Sequence, residues 1–214
     1  MAGRIVVRQA TMDDVEGILL VEEEAWPEGL RATEEMFRSR IATFPQGTLV
    51  AENGERIVGV VVGEIVTYNE NAETIPSWRE ITDGGFIRRT HDPSGDTLYG
   101  VNLSVSPLAG GGASRLLLLA MRKRVIGWGL RQIALGSRIP RYHKFADRMS
   151  PEEYLAARLD PEVRFYQRFG VEVVRVLPDY IEDPDSCNNG VLLVWRNPFY
   201  GWPFRGLWRR LFRI

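Results

Sequence analysis

The sequence predicts an α/β domain built on a mixed sheet with helices on both faces. Three observations carry that expectation. Segments of helical period alternate with short runs rich in Val and Ile, in the order β-α-α-β-β-β-α-β-α-β-β. The 214 residues suffice for one large domain with a buried core, whereas a second full domain would be cramped. At residues 98–128 a strand runs through a glycine-rich turn directly into a helix.

The elements follow in order. Ile5, Val6 and Val7 make a first strand. Thr11 is an N-cap with Asp13 and Asp14 in the positive first turn of a helix. Val15, Ile18, Leu19, Glu22 and Ala25/Trp26 form its inward stripe, and it ends near Pro27. Thr33 caps a second helix, with Met36, Phe37, Ile41 and Phe44 inward. Thr48–Ala51 and Ile57–Val66 make a hairpin around Asn53-Gly54. Residues 67–97 are a long polar excursion, too long for a mere connection. Leu98–Val105 is a strand with Tyr99, Val101, Leu103 and Val105 on one face, and Ala113–Trp128 is a helix. Gln132–Leu135 is the next strand. Residues 138–161 form a second insertion, with a short helix begun by Ser150-Pro151-Glu152-Glu153. A brief helix at Val163–Phe169 and strands at Val171–Val176 and Val191–Trp195 complete the body. No linker divides residues 1–196.

Composition narrows the function. A formal charge of −1 gives no pull toward nucleic acid, which is not an expected partner. Five of the 27 basic residues and none of the 28 acidic ones fall in residues 196–214, so the body is acidic and the tail basic. An acidic body suits cationic substrates such as amines. Cys187 is the only cysteine, leaving no internal disulfide and no thiolate-rich metal site, and no metal is expected. Ile5-Val6-Val7 is too short for the apolar core of a secretory leader, and no stretch approaches the roughly 18 apolar residues of a membrane span. The expected compartment is the cytoplasm.

The most informative stretch runs from Leu103-Ser104-Val105-Ser106-Pro107 through Leu108-Ala109-Gly110-Gly111-Gly112 to Ala113-Ser114-Arg115-Leu116-Leu117. Glycines allow close backbone approach, and exposed N–H groups at the positive end of a helix make an anion site. Pyrophosphate is the natural guest. No Lys-Ser/Thr follows the glycines, against a P-loop, and no acidic residue ends a following strand, against a dinucleotide-binding unit. A tight strand–helix turn without ligand is the plain alternative.

Strand, Val-x-Pro, glycine turn and Leu-Leu helix resemble the coenzyme A loop of the GNAT family of N-acetyltransferases. Val7-Arg8-Gln9-Ala10-Thr11-x-x-Asp14, with a helix ending Ala25-Trp26-Pro27, is similar to the family's opening. Phe165-Tyr166-Gln167-Arg168-Phe169-Gly170-Val171 resembles its Phe-Tyr-x-Lys-x-Gly-Phe segment. The stretch from Ile139-Pro140-Arg141-Tyr142-His143-Lys144 to Tyr154 resembles a GNAT subgroup found joined to carbon–nitrogen hydrolases. The glycine turn admits two registers, Gly111-Gly112-Ala113 or Gly112-Ala113-Ser114, and Leu108 or Ala109 stands where the family motif has Gln or Arg.

The resemblance implies a mostly antiparallel central sheet and acetyl-CoA as co-substrate. It places Leu103, Ser104, Val105, Gly110, Gly111, Gly112, Ala113, Ser114 and Arg115 against the coenzyme, with backbone N–H groups of 103–105 at the reacting carbonyl. It implies transfer to a primary amine of a small molecule or peptide by direct attack. Tyr166 takes the family's general-acid position; the alternative is a packed aromatic. Glu64 is the candidate base if it faces the cleft, though Gly63 and Glu64 equally suit a solvent face. Trp26, Trp78, Tyr142 and His143 are candidate acceptor contacts, the insertion residues among them equally suited to pinning their loops or lying on the surface. The acidic run Asp179, Glu182, Asp183, Asp185 lacks EF-hand spacing and reads as a loop between the last strands, its best functional reading being attraction of a cationic acceptor.

A degenerate module that binds acyl-CoA without catalysis, and an interaction protein that docks through its tail, stand as alternatives. Residues 197–214 interleave aromatics with Arg205, Arg209, Arg210 and Arg213. They suit a weak contact with an anionic membrane surface, or packing on the body or across a homodimer interface.

Overall fold

The computed structural model describes residues 4–109 and 112–202. Its elements are β1 (Ile5–Gln9), α1 (Val15–Ala25), α2 (Glu34–Thr43), β2 (Thr48–Asn53), β3 (Arg56–Val66), α3 (Trp78–Ile81), β4 (Thr97–Val105), α4 (Ala113–Trp128), β5 (Gln132–Arg138), α5 (Pro151–Ala156), α6 (Pro161–Arg168), β6 (Glu172–Leu177) and β7 (Gly190–Arg196). The strands form one seven-stranded sheet in the order β1-β2-β3-β4-β5-β7-β6, antiparallel except for the β4–β5 pair.

Local chemistry explains the helix starts. The Thr33 hydroxyl accepts from the Met36 N–H at the start of α2, and the Ser150 side chain caps α5 with Glu153 reaching back. At the entry to α1 the Asp14 carboxylate accepts from the Thr11 N–H and hydroxyl and is gripped by both terminal nitrogens of Arg8. α6 begins two residues before the expected Val163. The Asp160 carboxylate accepts from the N–H groups of Glu162 and Val163, and Pro161 fills the first position, where no N–H is needed.

Helices cover both faces. Glu22 of α1 bonds Asn102 and Ser104 on one side of β4, while Leu117 of α4 lies against Gly59 on the other side of the sheet. Residues 67–96, including α3, extend the α1–α2 layer over Tyr99, Tyr68 and Tyr180. A third apolar cluster, with Ile139, Tyr142, Tyr154, Val163 and Tyr166, lies beneath α5 and α6.

β4 departs from simple alternation. Gly63 pairs with Gly100 and Val62 with Asn102, so Val101 is an extra residue in a β-bulge. The bulge breaks the expected common face. Tyr99 packs with Tyr68 and Tyr180, whereas Val105 lies with Leu117 on the opposite face, and Asn102 and Ser104 turn toward α1. The parallel pair is also short. It runs only from Thr97–Gln132 to Gly100–Leu135, after which β4 stays with β3 as far as Val105 and β5 with β7 as far as Arg138. The sheet therefore splays open beside Val101–Val105.

Candidate active site

A cavity of about 430 Å³ fills this splay and is lined by residues from both faces of the sheet. On the α4–α6 face it is lined by Leu118, Met121, Arg122, Tyr166 and Trp195. On the α1–α2 face it meets Trp26, Arg31, Met36, Arg40, Trp78, Arg79 and the Asp179–Glu182 loop. Between them lie the free edge of β4 (Val101, Asn102, Leu103) and the diverging end of β5 (Leu135–Arg138). The volume is that of a small-ligand site. A slot lined from both faces of a sheet is a place where two reactants can meet from opposite sides.

The splay explains what β4 offers. Its β5-facing edge has no strand partner beyond Gly100, so the edge-facing backbone groups of Asn102–Val105 lie beside the slot without a ladder partner, while the Val101 carbonyl accepts from the Trp78 indole N–H. Leu103 is on the wall. The Ser104 side chain is buried away from it, donating to Glu22 at 2.5 Å and accepting from the Trp26 indole N–H at 2.7 Å. At the end of β4, Pro107–Ala109 makes a 3-10 turn and Gly112 stands at the start of α4 with φ +119, a conformation strained for any side chain. A Cβ at Gly112 would point into open space. The first helical bond described in α4 runs from the Leu116 N–H to the Gly112 carbonyl, so the N–H groups of Ala113, Ser114 and Arg115 sit in the first turn ahead of it. The Ala113 side chain packs into the core and Arg115 is exposed. Gly110 and Gly111 lie outside the described residues, as does most of the tail expected at residues 197–214.

The remaining candidates divide. Tyr166 is on the cavity wall, and burial together with nearby Glu162 raises its pKa, keeping the phenol protonated. Trp26 and Trp78 also line the cavity, and the Trp78 indole N–H is anchored on the bulged Val101 carbonyl at 3.1 Å. Tyr142 and His143 are not on the wall. Tyr142 is buried in the cluster beneath α6 with its hydroxyl on the Met149 carbonyl at 3.0 Å, and His143 Nδ1 meets the Pro140 and Asp185 carbonyls. Their reach is taken up in pinning their own loop.

Glu64 is neither on a solvent face nor on the cavity wall. It is wholly buried, with one oxygen held by the Thr90 hydroxyl at 2.6 Å, and burial pushes its pKa up to about 7. His91, which accepts from the Ile65 N–H and stacks on Phe44 at 4.2 Å, is likewise a packing residue. The acidic loop is partly neutralised, because Asp183 pairs with Arg138 at 2.7 Å.

Glu162 and Arg40 are two of the ionisable wall residues that the sequence reading did not single out. Glu162 lies one turn before Tyr166, so both side chains share a face of α6. Burial raises its pKa to about 7 against the opposing pull of Arg138, and Asp160 and Asp183 push the same way as burial. The signal was present in Asp160-Pro161, an N-cap followed by an N1 proline, which brings Glu162 into the helix. Arg40 lies one turn after Met36, on the inward stripe of α2, and is fully buried.

No family model matches the sequence. The chain is 34% identical over 206 residues to the uncharacterized N-acetyltransferase YkwB of Bacillus subtilis (strain 168), covering 92% of this chain and 90% of that protein. It is 28% identical over 204 residues to the probable hydrolase YhcX of the same organism, spanning 92% of this chain but only 39% of that protein. Among solved structures, the loading GNATL domain of CurA from Lyngbya majuscula superposes with a TM-score of 0.77 at 21% identity over 91% of this chain and 98% of that one. The GNAT-like decarboxylase GphF in complex with isobutyryl-CoA superposes with a TM-score of 0.75 at 23% identity over 90% and 99%. The putative acetyltransferase YncA of Salmonella typhimurium with acetyl-CoA gives 0.57 at 13% identity over 93% and 97%. A splayed seven-stranded sheet with a bulged central strand, matched almost end to end by a relative of this identity, establishes that the chain belongs to the GNAT family of N-acetyltransferases.

Proposed function

We propose that the protein transfers the acetyl group of acetyl-CoA to a primary amine of a small molecule or peptide by direct attack. The observation that carries this reading is the cavity through the splay, with Tyr166 and Glu162 side by side on its wall. The residues present fit the coenzyme. Leu103, Leu118, Met121, Ile133 and Trp195 offer an apolar lining to a pantetheine arm, and the first turn of α4 offers N–H groups to a pyrophosphate. Acetyl-CoA supplies the activated acyl group. The amine enters from the α1–α2 face, past Trp26 and Trp78.

Glu162, rather than the enclosed Glu64, takes the proton that the amine loses as the C–N bond forms, a task suited to a carboxylate of pKa about 7. N–H groups on the free edge of β4 face the charge that develops on the carbonyl oxygen. Tyr166 donates its proton to the sulfur as the C–S bond breaks. The proton then returns from Glu162 to Tyr166 along one face of α6, and the site is reset. Thiol release from acetyl-CoA with a panel of amines tests this. Tyr166→Phe should lower turnover by about 10²–10⁴ with coenzyme A affinity nearly intact; a variant within threefold of wild type would make Tyr166 structural. Coenzyme A binding without thiol release would instead favour a module that only binds acyl-CoA.

One arginine of the α1–α2 face favours a second reading. Arg31, Arg40, Arg79 and Arg138 line that side beside Asp179 and Glu182; Arg31, Arg79 and Arg138 meet Glu23, Glu182 and Asp183, which leaves Arg40 as the arginine there that suits an anion. The GphF neighbour is a GNAT-like decarboxylase. In a carboxyacyl-CoA the bond from Cα to the carboxylate would break, CO₂ would leave, and the electron pair at Cα would take a proton from Tyr166. CO₂ release from malonyl-CoA without any amine separates the two chemistries.

A further inference from the structure

Among the described residues, Arg40 is a fully buried cation whose terminal nitrogens are unexplained. It projects from α2 and is fully buried on the cavity wall. Its Nε donates to the Gly85 carbonyl at 2.7 Å, and its guanidinium lies 4.8 Å from the centre of the Phe37 ring. Both terminal nitrogens lack any hydrogen-bond partner among the described residues. The acids that act on it do so only through space. Glu22 is engaged by the Ala32 N–H, Asn102 and Ser104, and Glu64 by Thr90 at one oxygen, its other oxygen making no hydrogen bond among the described residues. Burying guanidinium N–H groups without acceptors is costly. Such a cost persists where a ligand supplies the missing acceptor.

The surroundings are shaped around that fork. Gly85, at φ +92, belongs to the long connection before β4. A side chain there would run into the Trp78 ring at 2.9 Å and an Arg40 terminal nitrogen at 3.0 Å, so only glycine lets the guanidinium and the Trp78 ring pack this closely at the wall. Two parallel N–H donors in one plane match the two oxygens of a carboxylate. The start of α4, which suits phosphates, belongs to the opposite layer of the sheet.

We infer that Arg40 is a carboxylate-binding residue of the cavity, receiving a carboxylate borne either by the acceptor amine or by the acyl chain of the coenzyme A thioester. The inference rests on the acyl-CoA reading above. An acceptor carboxylate makes the acceptor an amino acid; an acyl carboxylate makes the donor a dicarboxylic acyl-CoA.

Calorimetry with coenzyme A comes first, because absence of binding overturns the acyl-CoA reading itself. Two comparisons follow on wild type, Arg40→Gln and Arg40→Lys. One measures the affinity of malonyl-CoA against acetyl-CoA. The other measures kcat/KM, with saturating acetyl-CoA, for the common amino acids against the amines lacking their carboxyl group. In one of the two, wild type should prefer the carboxylate-bearing member at least tenfold. Arg40→Gln should lose that preference and Arg40→Lys keep part of it, with coenzyme A affinity unchanged. Met36→Glu, which sets a carboxylate one turn from Arg40 on α2, should raise the melting temperature and abolish the preference, so the test survives if Arg40→Gln fails to fold. Coenzyme A binding with no carboxylate preference in either comparison, or a preference that survives Arg40→Gln, overturns the assignment.

Discussion

The two long connections of this chain look alike in sequence and behave differently in space. Residues 67–96 precede β4, and residues 139–160 separate β5 from α6. The first supplies Ser77, Trp78, Arg79 and Gly84 to the cavity, and its Gly85 carbonyl holds Arg40. The second supplies no wall residue among those described; Tyr142, Phe145 and Tyr154 turn inward beneath α5 and α6. Length alone marks a connection as unusual, but it does not say whether the chain is lining a site or supporting one. The position of the anchored aromatic decides. Trp78 is tied to the central strand beside the splay, whereas Tyr142 is tied to Met149 of its own loop.

The second connection reaches the site only through α6, so the largest expected effect lies where it ends. Glu162→Gln should lower turnover by about 10²–10⁴. In wild type the rate should rise with pH through an apparent pKa near 7, because burial raises Glu162 to about that value and the carboxylate is the active form. The variant should lack this limb in a pH–rate profile. The same burial has a cost in stability: between the unfolded carboxylate range and pH 7 the folded protein keeps a proton that the unfolded chain releases. Glu162 therefore makes the protein less stable as pH rises through that window.

A direct contribution of the first connection is next in size. Trp78→Ala should raise the acceptor KM by roughly tenfold, about 1.4 kcal/mol, with coenzyme A affinity unchanged by calorimetry. Equal losses in both would mean that Trp78 holds the whole splay rather than one side of it.

Asp160→Ala removes the cap that places Glu162 in α6, and urea titration should show a loss of about 1–2 kcal/mol with a smaller fall in kcat. The smallest effect is expected at His143→Ala, on the exposed side of the second connection. It should leave stability within about 0.5 kcal/mol and acceptor kinetics unchanged. A change of acceptor preference there would erase the distinction between the two connections.

Much of this molecule is legible in its sequence because the features concerned are local. Thr33 and Ser150 announce helix starts through their own reach to an N–H three residues on, and Phe165-Tyr166 falls in a short motif that puts Tyr166 on the cavity wall. The extra residue at Val101 is different in kind. A bulge exists only relative to a partner strand, and nothing within Leu98–Val105 says that Val62 will pair with Asn102 rather than with Val101. Glu64 shows the same limit, since alternation could not say that residues 67–96 would close over it.

What the sequence by itself determined is the order of the strands and longer helices, the caps at Thr33 and Ser150, the glycine turn before α4 and the family to which these belong. Each depends on side chains within a few residues of one another. The tertiary structure alone decided where the sheet splays, that Glu162 is pushed up to about 7 and that the two terminal nitrogens of Arg40 have no hydrogen-bond partner among the described residues. Those properties arise from desolvation and from charges on distant segments. Arg40 meets Gly85, Glu162 feels Arg138 and Asp183, and Trp26 meets Ser104 across 78 residues. A pKa or an unpaired donor belongs to an environment, and that environment exists only once the chain has folded.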